Sequence, residues 1–464
     1  MNRLQCLIRL ARALDYNRDP DPEHWKTING AKVHLDKNGN YDGGAGGKFN
    51  GNHHYGGPDW KQKTALMNQL TNALRGGVTQ KQAQGNQAGN SPSQNVASKA
   101  TSNGGGNGTI KTEKEYEIEI SNIKQDYDKV LHDSNATIAD KQAAFAKVKA
   151  VCVEAAQNGH VIVGKHLQNS VATPEQIDDI KTHLKNAPME IRALWNMHGS
   201  EINQDLDFSK LTPKEKKWPK YSSGRQMIHM DLNREIRDGG VEEAYKTYFH
   251  ENGHAIDAQI ALKASGKIPR NYVACLYAAQ YNNGEFVKAI ESDVKKIISS
   301  AEKEIKDRIT QGDYEWLFDH ALFDSVEQFY NGRMNPQTQR WEMTQMPPNF
   351  KYKKALTYKL IEVNLRRLAR KEGSYVCTDL ADMLNGATNG KIKAVGFHEN
   401  KYWKSQRNWY QAVYGEDLNY GLAVEAFAEF VSAKTVNPGS VNVLKKFLPT
   451  ASDCIDRMLK DAIK

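Results

Sequence analysis

The chain has 464 residues, of which 39% are hydrophobic and 25% are charged. This length suggests several domains, and the low hydrophobic share predicts polar segments between them. No run approaches the eighteen apolar residues that a membrane-spanning helix needs, so we expect no membrane partner. The net charge of +8 is spread along the chain and does not indicate a specific nucleic-acid partner.

The cysteines and the N-terminus both point to a reducing compartment. Five cysteines lie far apart with no CxxC pair, which argues against a disulfide framework and against a cysteine-based zinc site. The chain begins with MNRLQCLIRLARAL, in which Arg3, Arg9 and Arg12 interrupt every apolar stretch. We therefore predict a short amphipathic helix and a protein that is not secreted by a signal peptide.

Residues 1–75 form the first predicted unit, a small helix and hairpin module. The step from Asn29 to Gly30 lies between alternating residues in WKTINGAKVHL, which is a strong signal for a β-hairpin. A later stretch, GGAGGKFNG, is too rich in glycine for a regular element and lacks the residue order of a phosphate-binding loop. We interpret it as a flexible loop or a peptide that docks on a partner.

Two segments separate this module from the C-terminal part of the chain. Residues 76–109 contain no acidic and no aromatic residue, which predicts a disordered Gly/Ser/Asn/Gln linker and the clearest domain boundary. Residues 110–190 have apolar residues near helical spacing. They predict a helical hairpin packed on the next domain, with a coiled-coil partner interface as the alternative.

Residues 191–464 are predicted to form an α+β, mostly helical domain that carries the chemistry. Its clearest strand signal is Arg225–Asp231. The pattern HExxH follows at His250, Glu251 and His254. On a helix, the two histidines stack on one face and can bind one metal ion, and the glutamate beside them can take a proton from a metal-bound water. This pattern predicts a helix that carries a catalytic zinc site.

A third ligand is expected from another helix. Glu425 and Glu429 share one face of the otherwise almost wholly apolar segment YGLAVEAFAEFV. Carboxylates on such a face cost several kcal/mol unless they are paired or bind a metal ion. Glu425 is the preferred ligand. The alternatives are a pairing of one glutamate with a lysine or arginine, and Glu327 as a rival third ligand.

The runs FHENGHAID and EAFAEF resemble the zinc metallopeptidases of the zincin type, and among them the group of the anthrax lethal factor catalytic domain. The resemblance implies a zincin-like domain with a small sheet and an HExxH active-site helix. It implies that His250, His254 and Glu425 bind zinc and that Glu251 is the general base. It also implies that two further carboxylates, Asp257 and Glu429, support the ligands.

The same resemblance implies a substrate strand and a tyrosine that stabilises the oxyanion. Ile228 would lie in an edge strand that pairs with the extended peptide substrate. Tyr420, Tyr414 and Tyr402 all stand upstream of the glutamate ligand, and their spacing settles none of them; Tyr420 is the one assigned. His398 is either a structural histidine or a hydrogen-bond donor to a substrate carbonyl.

A second resemblance concerns origin. The segment WKTINGAKVHLDKNGNYDGGAGGKFNG and the stretch 379–403 are similar to parts of minor head and other structural proteins of bacteriophages and prophages. This implies phage head proteins as partners and a location in the bacterial host cytoplasm or the phage virion. The predicted function is that of a zinc-dependent endopeptidase acting on a peptide or protein substrate. The rival is a phage structural protein whose metal site is architectural or vestigial.

Overall fold

The structure is a computed structural model. It describes residues 25–28, 31–34, 111–206, 219–223, 225–265, 277–313, 316–317, 320, 332–334, 337, 341–343, 352–396, 398, 400–414 and 419–464, with backbone only for 25–34, 332–334, 341–343 and 409–414. The chain divides into two compact units, Met1–Gly106 and Asn107–Lys464. The predicted N-terminal helix, glycine-rich loop and linker lie outside the described residues, and so does Glu327.

The first unit contains the predicted hairpin. Strands β1 (Trp25–Ile28) and β2 (Ala31–His34) pair antiparallel, with Ile28 opposite Ala31. The two residues between the strands are Asn29 and Gly30, the pair favoured in tight hairpin turns. The hairpin prediction is therefore confirmed.

The second unit is mostly helical and has a small three-stranded sheet, as predicted at this level. No helix in the described ranges is long and apolar enough to cross a bilayer. In chain order its elements are α1 (Glu113–His132), α2 (Ile138–Gln157), α3 (Lys165–Gln168), α4 (Pro174–Asn186), α5 (Met189–Met197), β3 (Asn203–Asp205), β4 (Lys220–Ser222), β5 (Met227–His229), α6 (Leu232–Gly239), α7 (Val241–Ser265), α8 (Tyr277–Gln280), α9 (Glu285–Gln311), β6 (Gly332–Met334), β7 (Trp341–Met343), α10 (Lys354–Glu372), α11 (Ser374–Ala387), α12 (Asn400–Tyr414), α13 (Tyr420–Val436), α14 (Pro438–Phe447) and α15 (Pro449–Ile463).

The segment 110–190 begins with two well-capped helices. Thr112 and Glu115 form a capping box at the start of α1, and Thr137 and Asp140 do the same for α2. Each box satisfies backbone N–H groups that the first helical turn leaves without partners. The two helices pack on each other, and their buried side chains belong to one continuous core that extends to α15. This segment therefore shares its core with the rest of the second unit.

The three-stranded sheet corrects the prediction for Ile228. The expected strand is present as β5, but it is the central strand: β3 pairs with it in parallel and β4 antiparallel. Ile228 is fully buried, with Gln204 and Tyr221 opposite it on the two sides. Because both sides of the strand are paired, an extended peptide cannot add to β5. Both neighbouring strands are only three residues long and lie outside the segment Arg225–Asp231, so the pattern of that segment could not show this.

Helices α7 and α13 form the closest helix contact around the site. A Cβ atom on Gly253 would lie 2.8 Å from Cα and 3.2 Å from Cβ of Ala428. Such distances are too short for real Cβ contacts, so only glycine allows this approach. The sequence predicts that close packing or metal geometry requires a glycine here, and the structure identifies close packing. The contact brings the histidines of α7 against the glutamates of α13.

Candidate metal centre

Three side chains from α7 and α13 converge on one point. Nε2 of His254 lies 3.1 Å from Nε2 of His250. Oε2 of Glu425 lies 3.3 Å from the His250 nitrogen and 3.5 Å from the His254 nitrogen. All three side chains are largely buried, with exposed fractions of 15%, 12% and 8% for His250, His254 and Glu425. Among the described residues, these three form a group that could hold one metal ion.

These distances fit a single tetrahedral cation. Metal–ligand bonds of about 2.0–2.1 Å at tetrahedral angles place ligand atoms about 3.3–3.4 Å apart. The observed separations of 3.1–3.5 Å agree with this edge length, so one ion could bind all three atoms. Two imidazoles and one carboxylate suit zinc and also other divalent transition metals. The geometry therefore supports a metal centre, and the ligand set fits zinc as well as other divalent transition metals.

The charges at the site are strongly coupled. Burial alone would raise the pKa of Glu425, but the charges and hydrogen bonds of His254 and His250 hold it well below its usual range. Burial would lower the pKa of His250, yet Glu429 and Glu425 raise it well above its usual value. The site therefore attracts positive charge, and a bound cation would take the place of a proton on His250.

Glu429 stands behind His250. Its Oε1 lies 3.5 Å from Nδ1 of His250, the ring nitrogen opposite the one that faces Glu425. A carboxylate in this position fixes the orientation and tautomer of a metal-binding imidazole. Glu429 thus lies beside His250 and outside the group of three side chains that could hold an ion.

Asp257 is fully buried one turn beyond His254. Its Oδ1 accepts a hydrogen bond of 2.7 Å from the backbone N–H of Ala278, which fixes α8 against α7. Its Oδ2 has no hydrogen-bond partner among the described residues. Burial raises the pKa of Asp257 to about 7, although the backbone N–H of Ala278 and the charge of His254 both oppose the rise. Asp257 therefore acts electrostatically on His254 and also holds α8.

Glu251 points to the sheet. Its Oε2 accepts a hydrogen bond of 2.5 Å from the backbone N–H of Tyr221, and the residue is 9% exposed. Tyr221 lies in β4, which is an edge strand of the described sheet. This contact holds the carboxylate of Glu251 against β4, on α7 beside His250. A base at that place could reach a water molecule bound at the metal centre.

Of the three candidate tyrosines, Tyr402 is the one with a described contact to Glu425. Its hydroxyl donates a hydrogen bond to Oε1 of Glu425. Its ring stacks on His398, with centroids 4.2 Å apart, and Nδ1 of His398 lies 2.8 Å from Oδ1 of Asp382. Burial alone would lower the pKa of His398, but the hydrogen bond and charge of Asp382, together with the charge of Glu425, raise it.

The assigned tyrosine, Tyr420, has a different setting. Its ring is buried in a small cluster with Ala258, Ala279 and Val424. Because Tyr420 precedes Glu425 by five residues, the two side chains leave α13 about 140° apart at about 100° per residue. The side chain of Tyr414 lies outside the described part of the structure.

Three further residues of the site were missed in the sequence. Lys246 is four residues before His250, on the same face of α7, and its Nζ lies 2.6 Å from Oδ1 of Asp379. Asp379 and Asp382 are three residues apart in α11, so both point toward the centre. The spacing of Lys246 and the paired aspartates in an apolar helix were visible signals, but a charge pattern alone does not reveal which helix lies opposite.

Searches with protein-family models, curated proteins and solved structures found no match to this chain. The geometry of the centre and the chemistry of its side chains therefore carry the functional argument.

Proposed function

We propose that this protein is a zinc-dependent endopeptidase with a zincin-like active site. The observation that carries the proposal is the combination of a tetrahedral three-ligand group with a carboxylate beside it. His250, His254 and Glu425 match one cation, and Glu251 is held 2.5 Å from the backbone of an adjacent edge strand. A structural metal site has four protein ligands, whereas a catalytic site has three and keeps one position for water.

Each residue around the metal centre has a separate role in the proposed hydrolysis. When bound, a zinc ion supplies a Lewis acid that polarises the scissile carbonyl and makes its bound water more acidic. Glu251 accepts a proton from the attacking water and returns it to the leaving amine. Glu425 orients Tyr402, whose hydroxyl is a candidate donor to the oxyanion, and Asp382 holds His398 beside that tyrosine.

We propose that the backbone of the peptide substrate pairs with the edge strand β4. Because β5 is central, the strand that borders the site is β4, and Tyr221 of β4 touches Glu251. An extended peptide lying along β4 would pass directly by the general base. Pairing with an edge strand is a common way to recognise peptides in an extended conformation.

The similarity to phage proteins favours an enzyme encoded by a phage or prophage, with phage head proteins among its substrates or partners. A structural phage protein with an architectural metal site would have the same three ligands but would not need Glu251. The role of Glu251 therefore separates the two functions.

The substitution Glu251→Gln tests the proposal. The amide cannot accept the proton, so we expect the variant to keep its metal content while hydrolysis of a peptide library falls by about 10²–10⁴-fold. Glu304→Gln, a substitution at an exposed position of α9, is the control and should leave both properties unchanged. Near-normal turnover by Glu251→Gln would refute the general-base role. A wild-type protein that binds zinc but cleaves no peptide would favour the structural function.

A further inference from the structure

Five carboxylates are buried around the metal centre. Burying a carboxylate costs several kcal/mol unless a positive charge or hydrogen bonds compensate it. Each of the five is at most 9% exposed: Glu251, Asp379, Asp382, Glu425 and Glu429. The centre therefore concentrates negative charge in a place from which water is largely excluded.

Lys246 is the one lysine or arginine that pairs with any of these five carboxylates in the part of the chain that the structure describes. It is 6% exposed, and its Nζ lies 2.6 Å from Oδ1 of Asp379 and also donates to Oγ1 of Thr378. Oγ of Ser440 donates to the other oxygen of Asp379 at 2.5 Å. The ammonium group is thus fixed by α11 and cannot turn to solvent.

Lys246 lies on α7 and is also hydrogen-bonded to α13, the other helix of the centre. Lys246 lies one turn before His250, and its backbone carbonyl accepts a hydrogen bond of 2.7 Å from Oγ of Ser432 on α13. The buried ammonium group therefore joins Asp379 of α11 to the turn of α7 that precedes His250.

We propose that Lys246 is a built-in counter-ion that keeps the metal centre assembled before a metal ion binds. Small metal-binding domains commonly unfold without their metal because nothing else compensates their ligands. Here an ammonium group supplies part of that compensation permanently. The inference rests on the metal centre of the proposed function and not on peptide hydrolysis. Lys246 is a positioning residue, since it acts through Asp379.

The proposal predicts an unequal effect of removing the charge. A bound divalent cation brings two positive charges into the same buried cluster, so the metal-loaded protein depends less on Lys246. Without the ion, removing Lys246 leaves the described carboxylates of the cluster with histidines alone to compensate them. The cost of removing Lys246 should therefore be larger in the metal-free protein.

The test is thermal unfolding of the full chain, followed by circular dichroism, in EDTA and in excess Zn²⁺. We expect Lys246→Met to lower the unfolding temperature about twice as much in EDTA as in Zn²⁺, because the ion replaces the missing charge. Lys434→Met is the matched control. Its side chain is 9% exposed, against 7% for Lys246, and pairs with Asp456 at 2.5 Å between α13 and α15. This control should lose the same amount in both conditions.

A charge-matched variant separates electrostatics from packing. Lys246→Met combined with Asp379→Asn removes both charges of the buried ion pair and should recover at least about half of the stability lost in EDTA. Equal losses for Lys246→Met in EDTA and Zn²⁺ would overturn the proposal, as would a double variant without recovery. If Lys246→Met fails to fold in both conditions, the double variant decides in the same way. If added Zn²⁺ changes neither the unfolding temperature nor the metal content of the wild-type protein, the metal centre itself is refuted.

Discussion

The substitution Gly253→Ala tests how closely the two helices of the centre must approach. The added Cβ would meet Cα of Ala428 at 2.8 Å, its Cβ at 3.2 Å and its carbonyl oxygen at 3.3 Å. Two of these three atoms belong to the backbone, so no side-chain rotation can relieve the contact. The helices α7 and α13 must therefore move apart by several tenths of an ångström.

Two opposing effects set the magnitude. Alanine favours a helix interior over glycine by about 1 kcal/mol, which alone would stabilise the variant. Inserting a methyl group into a well-packed contact costs about 1–3 kcal/mol, and a backbone contact belongs at the upper end. We therefore expect a net loss of about 1–2 kcal/mol. For a unit of this size, Asn107–Lys464, that corresponds to a fall of about 1–3 °C in unfolding temperature.

The same movement should weaken the metal centre. Ala428 is three residues from Glu425 on α13, so a displaced helix carries the carboxylate away from His250 and His254. We expect zinc affinity to fall by about 10–100-fold, as it does when the support of a ligand is lost. Competition with a chromogenic chelator measures the affinity, and thermal unfolding measures the stability.

Gly239→Ala is the control for this prediction. It adds the same methyl group at the end of α6, where the nearest atoms, 3.3 Å away, belong to the flexible side chain of Glu243. This variant should keep wild-type zinc affinity and about the same stability. If Gly253→Ala proves more stable than the wild type and binds zinc equally well, helix propensity alone governs the position and the close-packing argument is wrong.

The remaining predictions concern the ligands and the tyrosine. Glu425→Ala should cost much more zinc affinity than Glu429→Ala, for which the expected loss is about 10–100-fold, because only Glu425 bonds directly to the ion. Chelator competition ranks these two variants together with Glu327→Ala; if Glu327→Ala is the most damaging, the third ligand has been misassigned. Tyr402→Phe should lower zinc affinity by at most about 10–100-fold, because it removes the hydrogen bond to Glu425. At saturating Zn²⁺ it should still slow peptide turnover by about 10²–10³-fold, since it removes a donor at the oxyanion. Tyr420→Phe is its matched comparison, and a larger loss of turnover there would return the role to Tyr420.

The centre was largely predictable because its signals are local. The spacing of His250 and His254 determines which helix face they share, whatever the rest of the fold does. Glu425 and Glu429 stood out because charged residues rarely lie on a fully apolar helix face. The hairpin was equally local, since Asn29 and Gly30 favour a particular turn.

The rest depends on contacts between distant segments. Nothing within Arg225–Asp231 reveals that β3 and β4 flank it, so its central position and the burial of Ile228 were not predictable. The choice between Tyr402 and Tyr420 depends on how α12 lies against α13. The sequence shows that Lys246 lies on the histidine face of α7. Its role depends on Asp379 of α11, and the sequence does not show that α11 packs there.

X-ray absorption spectroscopy of the zinc-loaded protein tests the central claim most directly. The account predicts one zinc ion per chain, with two imidazole nitrogens and one carboxylate oxygen at about 2.0–2.2 Å and a fourth ligand from water. Glu425→Ala should lose the carboxylate contribution and keep both imidazoles. A spectrum with sulfur ligands, with six oxygen ligands, or with an unchanged pattern in Glu425→Ala would contradict the proposed centre.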